Sequence, residues 1–226
     1  ATGCYAQAKE QTGEIDDCID IVIGNNKKRE LIEIIEQYCE ERTGVKKAII
    51  DINHTKEYEE MHLSKTAEHT RAYIKVQDGC NQFCTYCIIP FARGRVRSRA
   101  KSDVISEVKD LAANGYQEVV LTGIHLSSYG VDLEGEDLLS LILAVNEVEG
   151  IRRIRLGSLE PRIITEEFAE RLAKVEKICP HFHLSLQSGC DETLKRMNRH
   201  YSIEEYEHSL SLLRRVFHEP ALTTDV

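Results

Sequence analysis

The sequence predicts an α/β fold: a partial, open β/α barrel over residues 71–226, preceded by the tail of a small α/β domain. Three observations predict it. Strand-like and helix-like segments alternate from residue 71 onward. The strands carry apolar side chains on one face and polar ones on the other. A loop dense in cysteine, "DGCNQFCTYC" at 78–87, follows the first of these strands, at the end where barrel sites are built.

The elements can be justified in order. "ATGCYAQ" reads as the end of a strand running into a turn, and "IDIVIG" (19–24) as a short buried strand. Leu31, Ile34, Ile35 and Tyr38 recur at helical spacing, which predicts an amphipathic helix over 27–41. Residues 1–42 thus form the C-terminal part of a small domain. Residues 43–70 are polar and lack periodicity, and they read as a linker.

From 71 to 77 "RAYIKVQ" is strand-like. In 102–115 Val104, Ile105, Val108, Leu111 and Ala112 share a helix face, with Ser102 as expected N-cap and Asn114-Gly115 as the stop. Strands follow at 117–123, 151–157 and 181–187. Helices follow at 136–150, at 165–175 with Thr165 as cap, at 191–197, and at 202–217 with a Ser202–Glu205 capping box. "ALTTDV" opens one more strand. Four β/α units and the start of a fifth strand predict a barrel truncated on its C-terminal side.

Period-2 geometry sets Ile74 and Val76 against Tyr73, Lys75 and Gln77, and Ile154 and Leu156 against Arg153 and Arg155. It likewise sets Phe182, Leu184 and Leu186 against His181, His183, Ser185 and Gln187. An ordinary closed barrel has a branched apolar interior. A polar interior fits a cavity for a charged ligand, or else the exposed face of an open sheet.

Composition is that of a globular protein, with 42% hydrophobic and 30% charged residues and a net charge of −9. Such a charge argues against whole-surface attraction to nucleic acid but allows a local basic patch. Residues 1–70 hold 9 basic and 15 acidic side chains, and the rest hold 20 and 23. No apolar run is long enough to cross a bilayer, so no membrane partner is expected. Eight cysteines without a secretory signal point to a reducing compartment, the cytoplasm, and to metal or catalytic use. The chain starts at Ala1 rather than Met, and an upstream segment is expected.

Cys80, Cys84 and Cys87 are spaced C-x₃-C-x₂-C. Thiolates bind soft metals. A structural zinc site would want a fourth ligand, and the loop offers neither a His nor a fourth Cys. Three ligands for four irons leave one iron open, which is useful only if something else binds there.

This pattern after the first strand of a partial barrel resembles the radical S-adenosylmethionine superfamily. "TGCYAQ", "QDGCNQFCTYCIIPFARGRVRSR", "VVLTGIHLSSYG", "RIRLGSLEP", "LSLQSGCDETLKRMNRHYS" and "TTDV" together resemble its methylthiotransferases. "LTGIHLSSYG" is most similar to the branch acting on N6-threonylcarbamoyladenosine in tRNA. The resemblance implies that Cys80, Cys84 and Cys87 hold a [4Fe–4S] cluster whose open iron binds S-adenosylmethionine. One electron then yields a 5′-deoxyadenosyl radical, and a methylthio group is installed on carbon 2 of the adenine beside the anticodon. The implied partners are a tRNA anticodon stem-loop and an electron donor such as a flavodoxin or ferredoxin. The implied cofactor contacts are Tyr86 near the adenine, Gly123 at the end of the second strand, and Glu160 on ribose hydroxyls. Ser185 and Gln187 lie on the cavity face. "TGIH" departs from the family pattern by lacking its usual acid, which leaves the Gly123 contact open. Cys4 matches the third ligand of the second [4Fe–4S] cluster that full-length methylthiotransferases carry. Its other two ligands and a C-terminal RNA-binding domain are expected outside this chain.

Plainer readings stand beside these. Cys18, Cys39, Cys179 and Cys190 read as small, partly buried side chains. Arg93, Arg95, Arg97, Arg99 and Lys101 form a run without acids, which is either a solvated face or a phosphate contact. His125, His181 and His183 read as core or cavity histidines. The alternative functions are a methylthiotransferase acting on another tRNA adenosine or on a ribosomal protein side chain, and a non-enzymatic iron–sulfur or zinc module.

Overall fold

The structure, a computed structural model, describes residues 1–13, 18–41, 46–61 and 70–226. The N-terminal unit opens where Thr2 bridges Ile23 in parallel. Gly3 then turns the chain (φ 82°) into α1 (Cys4–Thr12). The strand-to-turn reading of "ATGCYAQ" therefore holds only as far as Gly3, and Cys4–Gln7 are helical instead. That helix escapes sequence reading because "CYAQAKEQT" carries almost no amphipathic pattern.

β1 (Ile21–Ile23), α2 (Leu31–Glu41) and β2 (Lys46–Ala48) form a parallel β-α-β crossover. β2 lies inside the segment read as a linker. Its "KKA" has no apolar alternation and is a strand through its pairing with β1. Residues 43–45 and 62–69 of that segment, and Arg42 before it, lie outside the described residues. The predicted apolar face of α2 is helical but not buried, with Leu31 and Ile35 exposed.

The second unit is an open β/α array. β3 (Ala72–Asp78) leads through α3 (Ile89–Ala92) to β4 (Arg97–Ser98), which returns antiparallel along the end of β3. α4 (Lys101–Ala113), β5 (Glu118–Gly123), α5 (Leu138–Asn146), β6 (Arg153–Leu156), α6 (Glu166–Leu172) and β7 (His181–His183) follow, then α7 (Asp191–Arg196), α8 (Ile203–Val216) and β8 (Ala221–Thr223). The strands run β4-β3-β5-β6 in one sheet and β7-β8 in another. Single bridges at Ile154–Ile178 and Leu159–Leu184 join the two. Ile74 pairs with Leu121, and Val119 with Ile154.

The inward side chains of these strands meet the helices in one core that includes Ile74, Val76, Val108, Leu121, Ile142, Ile154, Leu172 and Phe182. Each such side chain contributes about 1.5–3 kcal/mol relative to exposure. The opposite faces carry the polar sets, as alternation requires, and Tyr73, Arg153 and His183 stay at least partly accessible.

Caps follow the sequence closely. Thr165 accepts from the Phe168 N–H, and Ser202 and Glu205 form the expected capping box. α5 adds another between Asp137 and Ser140. Asn114 ends α4, and Gly115 takes φ 89° after it. Ser102 is not an N-cap. α4 starts at Lys101, and the Ser102 hydroxyl donates to Asp103 instead. Of the cysteines read as partly buried, Cys179 is buried while Cys18, Cys39 and Cys190 are exposed.

Candidate metal centre

The cysteine loop is rooted at Asp78, the last residue of β3. Its carboxylate accepts from Lys75 Nζ at 2.9 Å and the Gly79 N–H at 2.9 Å, with Arg93 Nη1 at 3.4 Å and Arg97 Nη2 at 3.9 Å. Burial pushes this carboxyl up, but the Lys75 and Arg93 charges and the hydrogen bonds hold it below the usual carboxylate range. The chain then doubles back through Gly79 at φ 72°, where an added Cβ would sit 1.8 Å from the Arg95 carbonyl oxygen. Only glycine passes there. The Cys80 N–H donates to Gly94 O at 3.0 Å, which fastens the loop to the turn before β4.

Cys80 and Cys84 are 8% and 9% exposed, and Cys87 is half-buried. Burial pushes the Cys80 thiol up, and the negative charges of Cys84 and Cys87 push it further, against an N–H from Gln82 that lowers it. Three thiolates this close repel one another unless a cationic group joins them.

On its other side the loop is held by the strap after α7. The Thr85 N–H donates to Met197 O at 3.1 Å. Asn198, at φ 57°, donates through Nδ2 to Gln82 O and Phe83 O at 3.0 and 3.1 Å. Arg199 Nη1 donates to Cys84 Sγ at 3.4 Å. Arg199 Nε in turn donates to the Tyr201 hydroxyl at 3.2 Å, and that hydroxyl donates to Ser185 O at 2.7 Å. Asn198, Arg199 and Tyr201 sit within "RMNRHYS", but nothing in the motif alone places them against residues more than a hundred positions away.

Beneath the loop lies Glu160, 8% exposed. Its Oε2 accepts from Gln82 Nε2 at 3.1 Å and from His125 Nε2 at 2.9 Å. A carboxylate only accepts, so His125 carries a proton on Nε2, and its Nδ1 lies 2.6 Å from Ser128 Oγ. Burial alone would raise the Glu160 carboxyl; His125 and the nearby guanidinium groups hold it low. Its other oxygen, Oε1, is buried with no hydrogen-bond partner among the described residues. Glu160, in the loop after β6, is thus tied to the segment after β5 by His125.

The remaining candidates are placed as follows. Tyr86 is exposed, and its hydroxyl donates to Gln187 Oε1 at 3.1 Å, so these two meet. Gln187 takes φ 67°. Ser185 is near the strap through its carbonyl. Gly123 makes room for Gln77, whose Oε1 would lie 2.8 Å from an added Cβ and accepts from the His125 N–H. His183 bonds Thr223 and Asp225, while His181 Nδ1 is buried without a hydrogen-bond partner among the described residues.

Cys4 comes to the back of this loop. Arg93 Nε donates to Cys4 Sγ at 3.2 Å while the same guanidinium reaches Asp78. Asn25 Nδ2 lies 3.6 Å from Cys4 Sγ and donates to Ala92 O at 2.6 Å. The reading of Arg93–Lys101 as one solvated or phosphate-binding run is corrected here. Arg97 and Arg99 are 1% and 2% exposed. Arg97 faces Asp78 and Arg99 pairs with the buried Glu107, because β4 turns both side chains inward.

The donor set, three soft thiols in one loop, is of the type that iron–sulfur clusters use. Among the described residues no three His, Cys, Asp or Glu side chains converge on one ion position. Three thiols that each hold a different iron need no such convergence.

Residues 74–226 match the family model described as the radical SAM superfamily. The chain is 40% identical over 226 residues to the threonylcarbamoyladenosine tRNA methylthiotransferase MtaB of Bacillus subtilis, covering all of this chain and 50% of that one. It is 44% identical over 214 residues to the MtaB of Aquifex aeolicus, covering 94% and 52%. It is 35% identical to a tRNA-2-methylthio-N(6)-dimethylallyladenosine synthase of Clostridium botulinum, again covering all of this chain and half of the relative. The chain spans about half the length of the curated relatives it matches. Among solved structures, the radical S-adenosylmethionine methyltransferase TsrM of Kitasatospora setae aligns with a TM-score of 0.53 at 24% identity, covering 68% of this chain and 29% of TsrM. The cobalamin-dependent S-adenosylmethionine radical enzyme OxsB aligns at 0.56 and 15% identity, covering 89% and 31%. These two likenesses speak to the fold. With the matched domain spanning most of the sequence and the three cysteines at the end of its first strand, the chain belongs to the radical SAM superfamily.

Proposed function

We propose that this chain is the central part of a tRNA methylthiotransferase that installs a methylthio group on carbon 2 of N6-threonylcarbamoyladenosine beside the anticodon. The observation that carries the reading is the gripped loop: Cys80, Cys84 and Cys87 are held between the β4 hairpin, the strap after α7 and Glu160. The choice of branch is supported by identity. The threonylcarbamoyladenosine enzymes share 40–44% with this chain, against 34–37% for the dimethylallyladenosine ones. A tRNA substrate places the reaction in the cytoplasm, and the reduction calls for a donor such as a flavodoxin or ferredoxin.

When bound, the cluster and S-adenosylmethionine supply a one-electron cleavage that delivers a 5′-deoxyadenosyl radical. The chain's residues hold and orient. Cys80, Cys84 and Cys87 are the ligands. Glu160 Oε1 offers a buried acceptor for a cofactor hydroxyl or ammonium group, and Tyr86 with Gln187 forms an exposed wall for the adenine. Gly123 keeps the β5 end open for Gln77, and Ser185 lies beside the strap. Cys4 is a ligand of the second cluster, whose further ligands belong to the longer protein.

The test is anaerobic reconstitution with iron and sulfide. The protein should turn brown and, once reduced by dithionite, cleave S-adenosylmethionine to 5′-deoxyadenosine. Cys84→Ala should lose both properties. A colourless zinc protein, or cleavage that survives Cys84→Ala, refutes the assignment.

A further inference from the structure

The geometry points to Arg199 as the residue that sets how readily a cluster on Cys84 takes up its electron. The inference rests on the cluster assignment above and goes beyond it. Arg199 Nη1 donates to Cys84 Sγ at 3.4 Å, and Cys84 is 9% exposed, so water screens the contact poorly. The guanidinium is fixed from behind. It lies 4.9 Å from the centroid of the Tyr201 ring, its Nε bonds the Tyr201 hydroxyl, and that hydroxyl is anchored on Ser185 O and Leu186 O. Asn198, one residue earlier, is tied to the cysteine loop itself. The cation therefore cannot swing away when charge at the sulfur changes.

The three thiols are not treated alike. Cys80 receives the neutral Gln82 N–H at 3.5 Å, whereas Cys84 receives a fixed positive charge. Other polar groups around Arg199 and Cys84 are Tyr86, Tyr201 and Glu160. Glu160 is already engaged by His125 and Gln82. Reduction adds one negative charge to the cluster. A cationic donor aimed at a ligand sulfur stabilises the reduced state more than the oxidised one, which raises the potential. Arg199 thus acts through Cys84 as a positioning and tuning residue.

The test compares the reconstituted wild-type protein with R199Q, R199K and Y201F, by iron and sulfide analysis and by an electron paramagnetic resonance redox titration. Poised at the wild-type midpoint, R199Q with a full cluster should show about a three- to tenfold lower ratio of reduced to oxidised cluster. Tenfold corresponds to 59 mV for one electron. R199K should recover part of the loss, and Y201F, which unpins the guanidinium, should fall between. An R199Q protein with full iron and the wild-type midpoint overturns the inference while leaving the cluster assignment intact. If R199Q does not retain its cluster, wild-type midpoints in both R199K and Y201F overturn it. A wild-type protein that takes up no iron overturns the assignment beneath it.

Discussion

Glu107→Gln removes one charge from a buried pair that no local pattern of residues announces. Arg99 and Glu107 are in close contact, with side chains 3% and 4% exposed, so neither water nor salt screens them. At an effective dielectric of about 20, unit charges roughly 4 Å apart attract by about 4 kcal/mol. Removing one partner of a buried pair costs about 3–5 kcal/mol, because the other charge stays desolvated. Glutamine keeps an acceptor and Arg99 keeps its contact with Asp103 O, so the lower end applies: about 3 kcal/mol, or roughly 6–12 °C in Tm for a chain of this size. Urea midpoints and thermal melts by circular dichroism measure it. The double variant Arg99→Met, Glu107→Leu should recover most of the loss, since an apolar pair of similar volume has no charge to desolvate. The same double variant should leave the salt dependence of RNA binding unchanged, whereas loss of a phosphate contact would reduce the slope by about one. A loss below about 1 kcal/mol for Glu107→Gln, the range of exposed ion pairs, refutes the burial argument and returns Arg99 to the surface.

Two further outcomes follow from the loop. Gly79→Ala forces a Cβ into the Arg95 carbonyl at a backbone conformation that side chains avoid; a soluble protein that no longer retains iron after desalting is expected, and full retention counts against the tight reversal. Glu160→Gln should be less stable than wild type at neutral pH. The folded state holds the Glu160 carboxyl below its unfolded value of about 4.3, so ionisation favours folding above that value, and the benefit is lost as pH falls through the lower folded value. The gap in denaturation midpoint between the two proteins should therefore be constant above about pH 5 and narrow in more acid solution; a gap independent of pH would show that Glu160 is not held ionised.

Where side-chain period decided structure, the sequence was legible. Ile74 and Val76, Ile154 and Leu156, and the Val104–Leu111 face of α4 lie in the core as alternation and helical spacing require. Thr165 and Ser202 cap because their hydroxyls meet an orphan N–H at the expected spacing. Legibility failed where pairing overrode composition. "KKA" is a strand only beside β1, and Arg97 is buried only because β4 folds back on Gln77 and Asp78. The apolar stripe of α2 was read correctly as helical, yet none of its residues is buried. At the site the three cysteines were visible as a spacing. The groups that hold them were not, since Asn198 meets Gln82 across 116 positions and Gln82 meets Glu160 across 78. No local pattern encodes contacts of that separation.

Those distant grips answer a physical difficulty of the loop itself. Eight residues (80–87) with three thiols and no regular structure would lose about 1–2 kcal/mol of backbone entropy per residue on being ordered, and their thiolates repel. If that ordering were left to metal binding, affinity would fall by the same amount and the open coordination position would be poorly defined. Here the loop is fixed beforehand from three directions: Gly94 O on the Cys80 N–H, Met197 O and Asn198 on residues 82–85, and Glu160 on Gln82. The same scaffold reaches backward, since Arg93 joins Asp78 at the loop's root to Cys4 in the N-terminal unit. Cys4 is thus held against the segment that carries the other three cysteines by a charge-assisted contact rather than by chain proximity. On the proposed function, that contact would keep the two candidate metal sites in one register.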